Sequence, residues 1–358
     1  MNPAHTSGHQ PVAGPSVWRG SDFDGDASWM HVLDAPQQTA LVGAARQWER
    51  HGRDFRSLQR HDALLALEGL RPLAAAVKRE VQDRGFVLVR GVPVADMSAT
   101  QIQLAYWAIG LLLGQGLTQN ARADFLCPVT DMGVDFGYSG APSQRNVRGY
   151  QSKADLNYHC DPSDMVSLLC VRKALSGGRS SIVSTPAIYN EIVRHHPEHL
   201  PVLLRGFPYD RKAEQGPHEA PVTERIPVFV RHAQRVSSRY ARSYILGGAQ
   251  KTQPLTGAEL AALDCFDALA RRDDMPLHMA FEPGDIQFVN NFTVVHGRTA
   301  YEDHADPAQR RFLWRLWLQF GDEAPWGEES PVMRWAFARF GQLGRSVQEW
   351  KQAQSGAA

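Results

Sequence analysis

The chain has 358 residues, enough for one large domain or two ordinary ones, and its 38 basic and 38 acidic side chains cancel. Balanced charge with no basic block excludes a global field that would gather nucleic acid or an anionic membrane, and no run approaches the roughly 20 apolar residues of a membrane span. Four cysteines, Cys127, Cys160, Cys170 and Cys265, show no C-x-x-C spacing and lie in or beside apolar segments, which reads as reduced thiols in a cytoplasmic protein.

Residues 1–30 are rich in Pro, Gly, Ser, His and Asp without periodicity and are expected as a flexible N-terminal leader or an arm lying on the surface, leaving 31–358 as a single domain. The apolar period through Leu70, Leu73, Val77 and Val81, closed by Gly85, predicts a helix, and Phe86-Val87-Leu88-Val89 a buried strand. Ser98 with Gln101 forms a capping box for a second helix carrying Leu104, Trp107, Ala108 and Leu111, stopped at Gly114. From about 120 to 158 glycines and Pro142 are scattered among polar residues, a long loop region of the kind that forms lids. Strand-type runs follow at 166–171, 180–183, 226–230, 277–281, 286–289 and 312–320, punctuated by Gly177-Gly178 and Pro283-Gly284-Asp285. Helical insertions begin at Ser184-Thr185-Pro186 and at the box of Thr256 and Glu259, whose buried face is expected to be Leu260, Leu263, Phe266 and Leu269. A tail with Trp326, Trp335, Phe337 and Trp350 is expected to fold back as helix. This order predicts a mainly β fold with flanking helices, a double-stranded β-helix (jelly-roll) core.

Within that frame His159-Cys160-Asp161 and the distant His296 read as a metal site. Two imidazoles and one carboxylate ligate a divalent ion on one face and leave the other open, the ligand set associated with non-haem Fe(II) that activates oxygen. Residues i and i+2 of an extended strand point the same way, so His159 and Asp161 reach one ion while Cys160 packs on the other face. Alone, a His-x-Asp triplet also reads as a hydrogen-bonded pair at a strand end. His296, set between the polar turn Asn290-Asn291 and Gly297, shifts the reading to metal. From 311 to 320 the even positions are all apolar, whereas the odd ones carry Arg311 and Arg315 on a single face, roughly 13 Å apart. If that face lines the barrel, each guanidinium needs an anion. Arg310 falls on the other face and reads as solvent-facing; His195, His196 and His199 read as a solvated helix end, and His304 as a loop residue.

Five segments in order, Asn157-Tyr158-His159-Cys160-Asp161, Gly177-Gly178-Arg179-Ser180, Pro283-Gly284-Asp285, Val294-Val295-His296-Gly297-Arg298 and Arg310-Arg311-Phe312-Leu313-Trp314-Arg315, resemble the taurine dioxygenase group of Fe(II)/2-oxoglutarate-dependent oxygenases. The resemblance spans roughly residues 70–320 and includes that group's N-terminal strand at 86–93. It implies Fe(II) on His159, Asp161 and His296, with 2-oxoglutarate and O2 as cosubstrates. It further implies that Arg311 binds the distal carboxylate of 2-oxoglutarate with help from Ser180, and that Arg315 meets an anionic group of the primary substrate. Asn157 and Asp155, just ahead of His159, are candidate substrate contacts; turn hydrogen bonding is the other reading for both, as a salt bridge to an acid such as Asp285 is for Arg315. The stretch from His296 to Arg311 is longer than in taurine dioxygenase, which leaves the arginine register open by one, and Ser180 stands where that enzyme has threonine.

The implied activity is oxidation of a C–H bond in a small anionic or zwitterionic molecule, releasing succinate and carbon dioxide. Hydroxylation, desaturation, cyclisation and epimerisation all stay open. A cupin-type metal enzyme, or a jelly-roll binder of small ligands, is the other class, and an inward Arg311 speaks against it. The expected partner is a small molecule, not nucleic acid or membrane, and self-association into a homo-oligomer is open.

Overall fold

The computed structural model describes residues 9–133, 149–320 and 341–355. Helix Arg71–Asp83 buries Val77 and Val81, as the period requires. Gly85, at φ 99°, then turns the chain into strand Phe86–Arg90, where a side chain would strike Thr293 and Val294. The Ser98 and Gln101 box caps helix Ala99–Leu113, and the Thr256 and Glu259 box caps helix Gly257–Ala270. In the latter Leu263, Phe266 and Leu269 are buried, whereas Leu260 is exposed.

Two sheets face each other. The larger runs in the order Met30–Val32, Phe86–Arg90, Ile286–Asn290, Met165–Arg172, Phe312–Gln319 and Gln115–Leu117, with Leu126–Val129 also paired to Phe312–Gln319. The smaller runs Leu277–Met279, Ser180–Ser184, Val294–Arg298 and Leu156–His159. All these pairings are antiparallel except that of Met30–Val32 with Phe86–Arg90.

Strand alternation sorts the core into layers. Val87, Val89, Leu316 and Leu318 pack with the helices from 35 to 113 on the outside of the larger sheet. Phe86, Leu88, Leu313 and Trp317 meet Ile182, Met279 and Val294 between the sheets. Val183 and Val295 point the other way, into a cluster formed with helices Thr185–His195, Leu200–Arg205 and Gly257–Ala270. This is the jelly-roll sandwich with helices on both faces. Since Leu313 and Val294 face inward, so do Arg311 and Arg315 on one strand and His296 and Arg298 on the other.

Several expectations are corrected. From residue 9 the supposed leader is fixed to the body: Val12 exchanges two backbone hydrogen bonds with the Asn190 amide, Arg19 bonds Glu191, and buried Trp18 packs edge-on to Phe86 with ring centroids 5.0 Å apart. Low periodicity hid these anchors because they are single side chains. The region read as loop holds strands Leu126–Val129 and Leu156–His159, and its remainder at 134–148 lies outside the described residues, as does its role as a lid. The run at 226–230 becomes a hairpin of Phe229–His232 with Arg235–Ser238. Of the tail aromatics only Trp350, in helix Val347–Ser355, is described; it packs edge-on to Phe125. No described helix is long and apolar enough to cross a membrane, and all four cysteines are free thiols.

Candidate metal centre

Register explains how residues so far apart in sequence meet. Strand Val294–Arg298 pairs with Leu156–His159 so that His296 stands directly opposite His159, and the two imidazole centroids lie 4.4 Å apart. His159 is the last residue of its strand, so Asp161 lies just beyond the strand and not on it. The chain returns the carboxylate to the same point: Oδ1 is 3.8 Å from Nε2 of His159 and Oδ2 is 3.9 Å from Nε2 of His296. Among the described residues this is the one group of three or more potential metal-binding side chains, their ligand atoms all within 4.8 Å. Cys160 faces away as expected, buried in the outer cluster, where burial pushes its thiol up to about 11.

Protonation suits a cation. The Asn157 carbonyl can only accept, so its 2.8 Å contact requires the proton on Nδ1 of His159 and leaves the lone pair on Nε2. Burial holds the His159 pKa down, and burial with the neighbouring His159 brings His296 to about 3; both imidazoles are neutral at physiological pH. Burial would raise Asp161, but Arg315, the two imidazoles and the Trp317 N–H outweigh it and hold the carboxyl at about 2. Two neutral nitrogen donors and a carboxylate fit a divalent ion.

Residues that sequence reasoning missed build the support. Trp317 Nε1 donates to Asp161 Oδ2 at 2.8 Å, the Asp161 backbone N–H donates to Asn291, and fully buried Arg239 donates from Nη1 to the Asp161 carbonyl at 2.8 Å. Gln119 accepts from Arg315 Nε at 2.7 Å and orients it. Asn291 stood in the polar turn before His296; the others look like ordinary core residues until register places them.

The triad opens into a cavity of about 1490 Å³, part of it open to solvent, which also reaches Ser180, Arg311 and Arg315. Arg311 is 5% exposed, and its buried Nη1 has no hydrogen-bond acceptor among the described residues. Such an atom calls for an anion. Ser180 lines the same cavity and donates to Gln287 at 3.0 Å. Arg315 lies against the triad, with Nη1 3.4 Å from Asp161 Oδ2. It is not the partner of Asp285, which is fully buried and taken by Arg90 through two 2.8 Å bonds. Asn157 lines the cavity while its side chain accepts from Arg271. Asp155 is not brought in: it is exposed, outside the lining, and accepts from the Ala300 backbone. Arg310 is exposed, as expected. A wall from Tyr209, Arg211, Lys212, Arg242 and Tyr244, on a stretch without a motif, completes the cavity.

Fold and site together have the form of a jelly-roll oxygenase. The sequence model of the Taurine catabolism dioxygenase TauD, TfdA family matches residues 58–317, and the chain belongs to this family. It is accordingly an Fe(II)/2-oxoglutarate-dependent dioxygenase. FR-33289 synthase of Streptomyces rubellomurinus is 30% identical over 332 residues, 91% of this chain and 95% of that protein. The taurine hydroxylase-like protein SAT17 of Stachybotrys chartarum is 23% identical over 323 residues, 87% and 80% of the two chains. Among solved structures, asparagine oxygenase with Fe(II), 2S,3S-3-hydroxyasparagine and succinate superposes with a TM-score of 0.60 at 16% identity, covering 81% of this chain and 93% of that one.

Proposed function

We propose that His159, Asp161 and His296 hold the iron, that Arg311 with Ser180 receives the distal carboxylate of 2-oxoglutarate, and that the primary substrate is a small molecule with an anionic group. Iron and 2-oxoglutarate bound there supply an oxidant for an unactivated C–H bond, with succinate and carbon dioxide released. The chain's own task is placement. Arg311 is a planar fork suited to a carboxylate, and its buried Nη1, without an acceptor among the described residues, is the observation that carries this reading. Trp317 and Arg315 fix Asp161 so that it presents oxygen toward both imidazoles. Apolar lining such as Val166, Leu168, Phe281 and Leu343 keeps water from the reacting carbon.

Charge supports the substrate class. Six cations, Arg211, Lys212, Arg242, Arg298, Arg311 and Arg315, line the cavity against two carboxylates, Asp161 and Asp210. Arg242 is taken by Asp264 and Asp267 behind the lining, and divalent iron and a doubly charged 2-oxoglutarate cancel each other, so a reduced cationic excess is left for the substrate. Asp155, a candidate substrate contact in the sequence, lies outside the lining and offers the cavity no carboxylate. A carboxylate, sulfonate, phosphate or phosphonate suits this wall, and that Asn157 and Arg315 line the same cavity supports them as its contacts.

Anaerobic addition of Fe(II) and 2-oxoglutarate is expected to give a weak visible charge-transfer band, because a keto acid chelated to ferrous iron supplies the acceptor orbital. His159→Ala and His296→Ala are expected to abolish it; a parent-like band in either variant removes that residue from the metal site. Succinate release measured across a panel of anionic metabolites then identifies the substrate, and stimulation by cationic compounds alone would refute the anionic reading.

A further inference from the structure

Arg311 and Phe281 line two cavities, not one. The second is a hollow of about 610 Å³, part of it open to solvent, between the turn 173–179 and the loop 280–282. Its exposed rim carries Arg179 and the ion pair of Lys173 with Glu282 at 2.8 Å, and it ends at Arg311 and Leu313. Gly178, at φ 67°, crosses the stem of Arg311 with bare backbone: a Cβ there would lie 3.2 Å from Arg311 Nε and 3.3 Å from Tyr301 Cβ. Arg311 and Phe281 therefore stand between the metal cavity and the hollow and border both.

We propose that this hollow is the exchange route of the dicarboxylate, by which 2-oxoglutarate enters and succinate leaves past Phe281 while the primary substrate uses the main cavity. The proposal rests on the assignment of Arg311 to the distal carboxylate. Arg179, the rim cation left over from the Lys173–Glu282 pair, raises the local concentration of a dianion, and passage requires the buried Phe281 ring to swing aside. A route at the Arg311 end frees succinate release from the order in which product and substrate exchange at the main mouth, a step that commonly limits turnover.

Stopped-flow spectroscopy of the iron-loaded protein without oxygen, following the charge-transfer band, tests it. Leu175 is 60% exposed on the rim, so Leu175→Trp narrows the opening without entering the core. Association and dissociation rate constants for 2-oxoglutarate are expected to fall together by about tenfold with their ratio unchanged, the mark of an obstructed path and not of a damaged site. Phe281→Ala is expected to raise both. Arg179→Ala should slow association alone and flatten its dependence on ionic strength. Parent rates in both Leu175→Trp and Phe281→Ala overturn the route. If instead Arg311→Lys leaves the 2-oxoglutarate dissociation constant unchanged, the assignment of Arg311 fails, an outcome separate from any change in rates.

Discussion

Arg311, just ahead of strand Phe312–Gln319, and Arg315 within it are the same residue type and face the same side, yet their surroundings give them different tasks. Arg311 Nη1 is buried without an acceptor among the described residues, whereas Arg315 Nε is held by Gln119 and its Nη1 lies 3.4 Å from Asp161. An ammonium keeps the charge of Arg311 but not its fork, so Arg311→Lys is expected to raise the 2-oxoglutarate dissociation constant about ten- to a hundredfold. Arg315→Lys is expected to leave that constant nearly intact and to weaken iron retention and primary-substrate affinity, because the support of Asp161 loosens. Titrations of both variants with iron present and oxygen absent check this. A larger loss of 2-oxoglutarate affinity in Arg315→Lys would show that the arginine register is shifted. The sequence named both arginines, but it could not show that Arg315 braces a metal ligand, since that depends on a loop returning Asp161 to within reach.

At the scale of elements, the turn between strands Leu277–Met279 and Ile286–Asn290 depends on one ion pair. Asp285 is fully buried, takes both bonds from Arg90, and accepts the Glu282 backbone N–H. Removing Arg90 strands a carboxylate in the interior. Because the Arg90 side chain is 36% exposed, Arg90→Met is expected to cost about 2–3 kcal/mol, less than a fully buried pair would. The double variant Arg90→Met with Asp285→Asn should recover part of the loss, and urea unfolding of the three proteins measures both effects. Pro283-Gly284-Asp285 was legible as a turn from local chemistry; its cation sits 195 positions away and was not.

For the whole molecule, the N-terminal segment is part of the fold from residue 9 onward. Trp18 is 4% exposed, packs on Phe23 and Phe86, and donates from its indole to the Arg84 carbonyl at 2.9 Å. Trp18→Ala is expected to destabilise the protein by about 3 kcal/mol through the cavity it leaves, while 2-oxoglutarate affinity of the folded fraction stays at the parent value. Calorimetry together with anaerobic titration checks both. Equal stability of parent and variant would make the segment an appended arm after all.

By itself the sequence determined what is periodic or carried by short motifs: the capped helices at 99 and 257, most of the strand runs, the single face shared by Arg311 and Arg315, and the candidate ligands His159, Asp161 and His296. Those properties follow from local geometry, 3.6 residues to a helical turn and two to a strand repeat. Tertiary structure alone decided which residues meet. Cross-strand register put His296 opposite His159, burial of Arg239 and Trp317 fixed the Asp161 loop, and the wall at 209–244 brought cations to the cavity from a stretch with no pattern of its own. Such contacts join residues far apart in the chain, from 78 positions for Arg239 with Asp161 to 156 for Trp317 with Asp161, through packing and pairing, which no local period encodes.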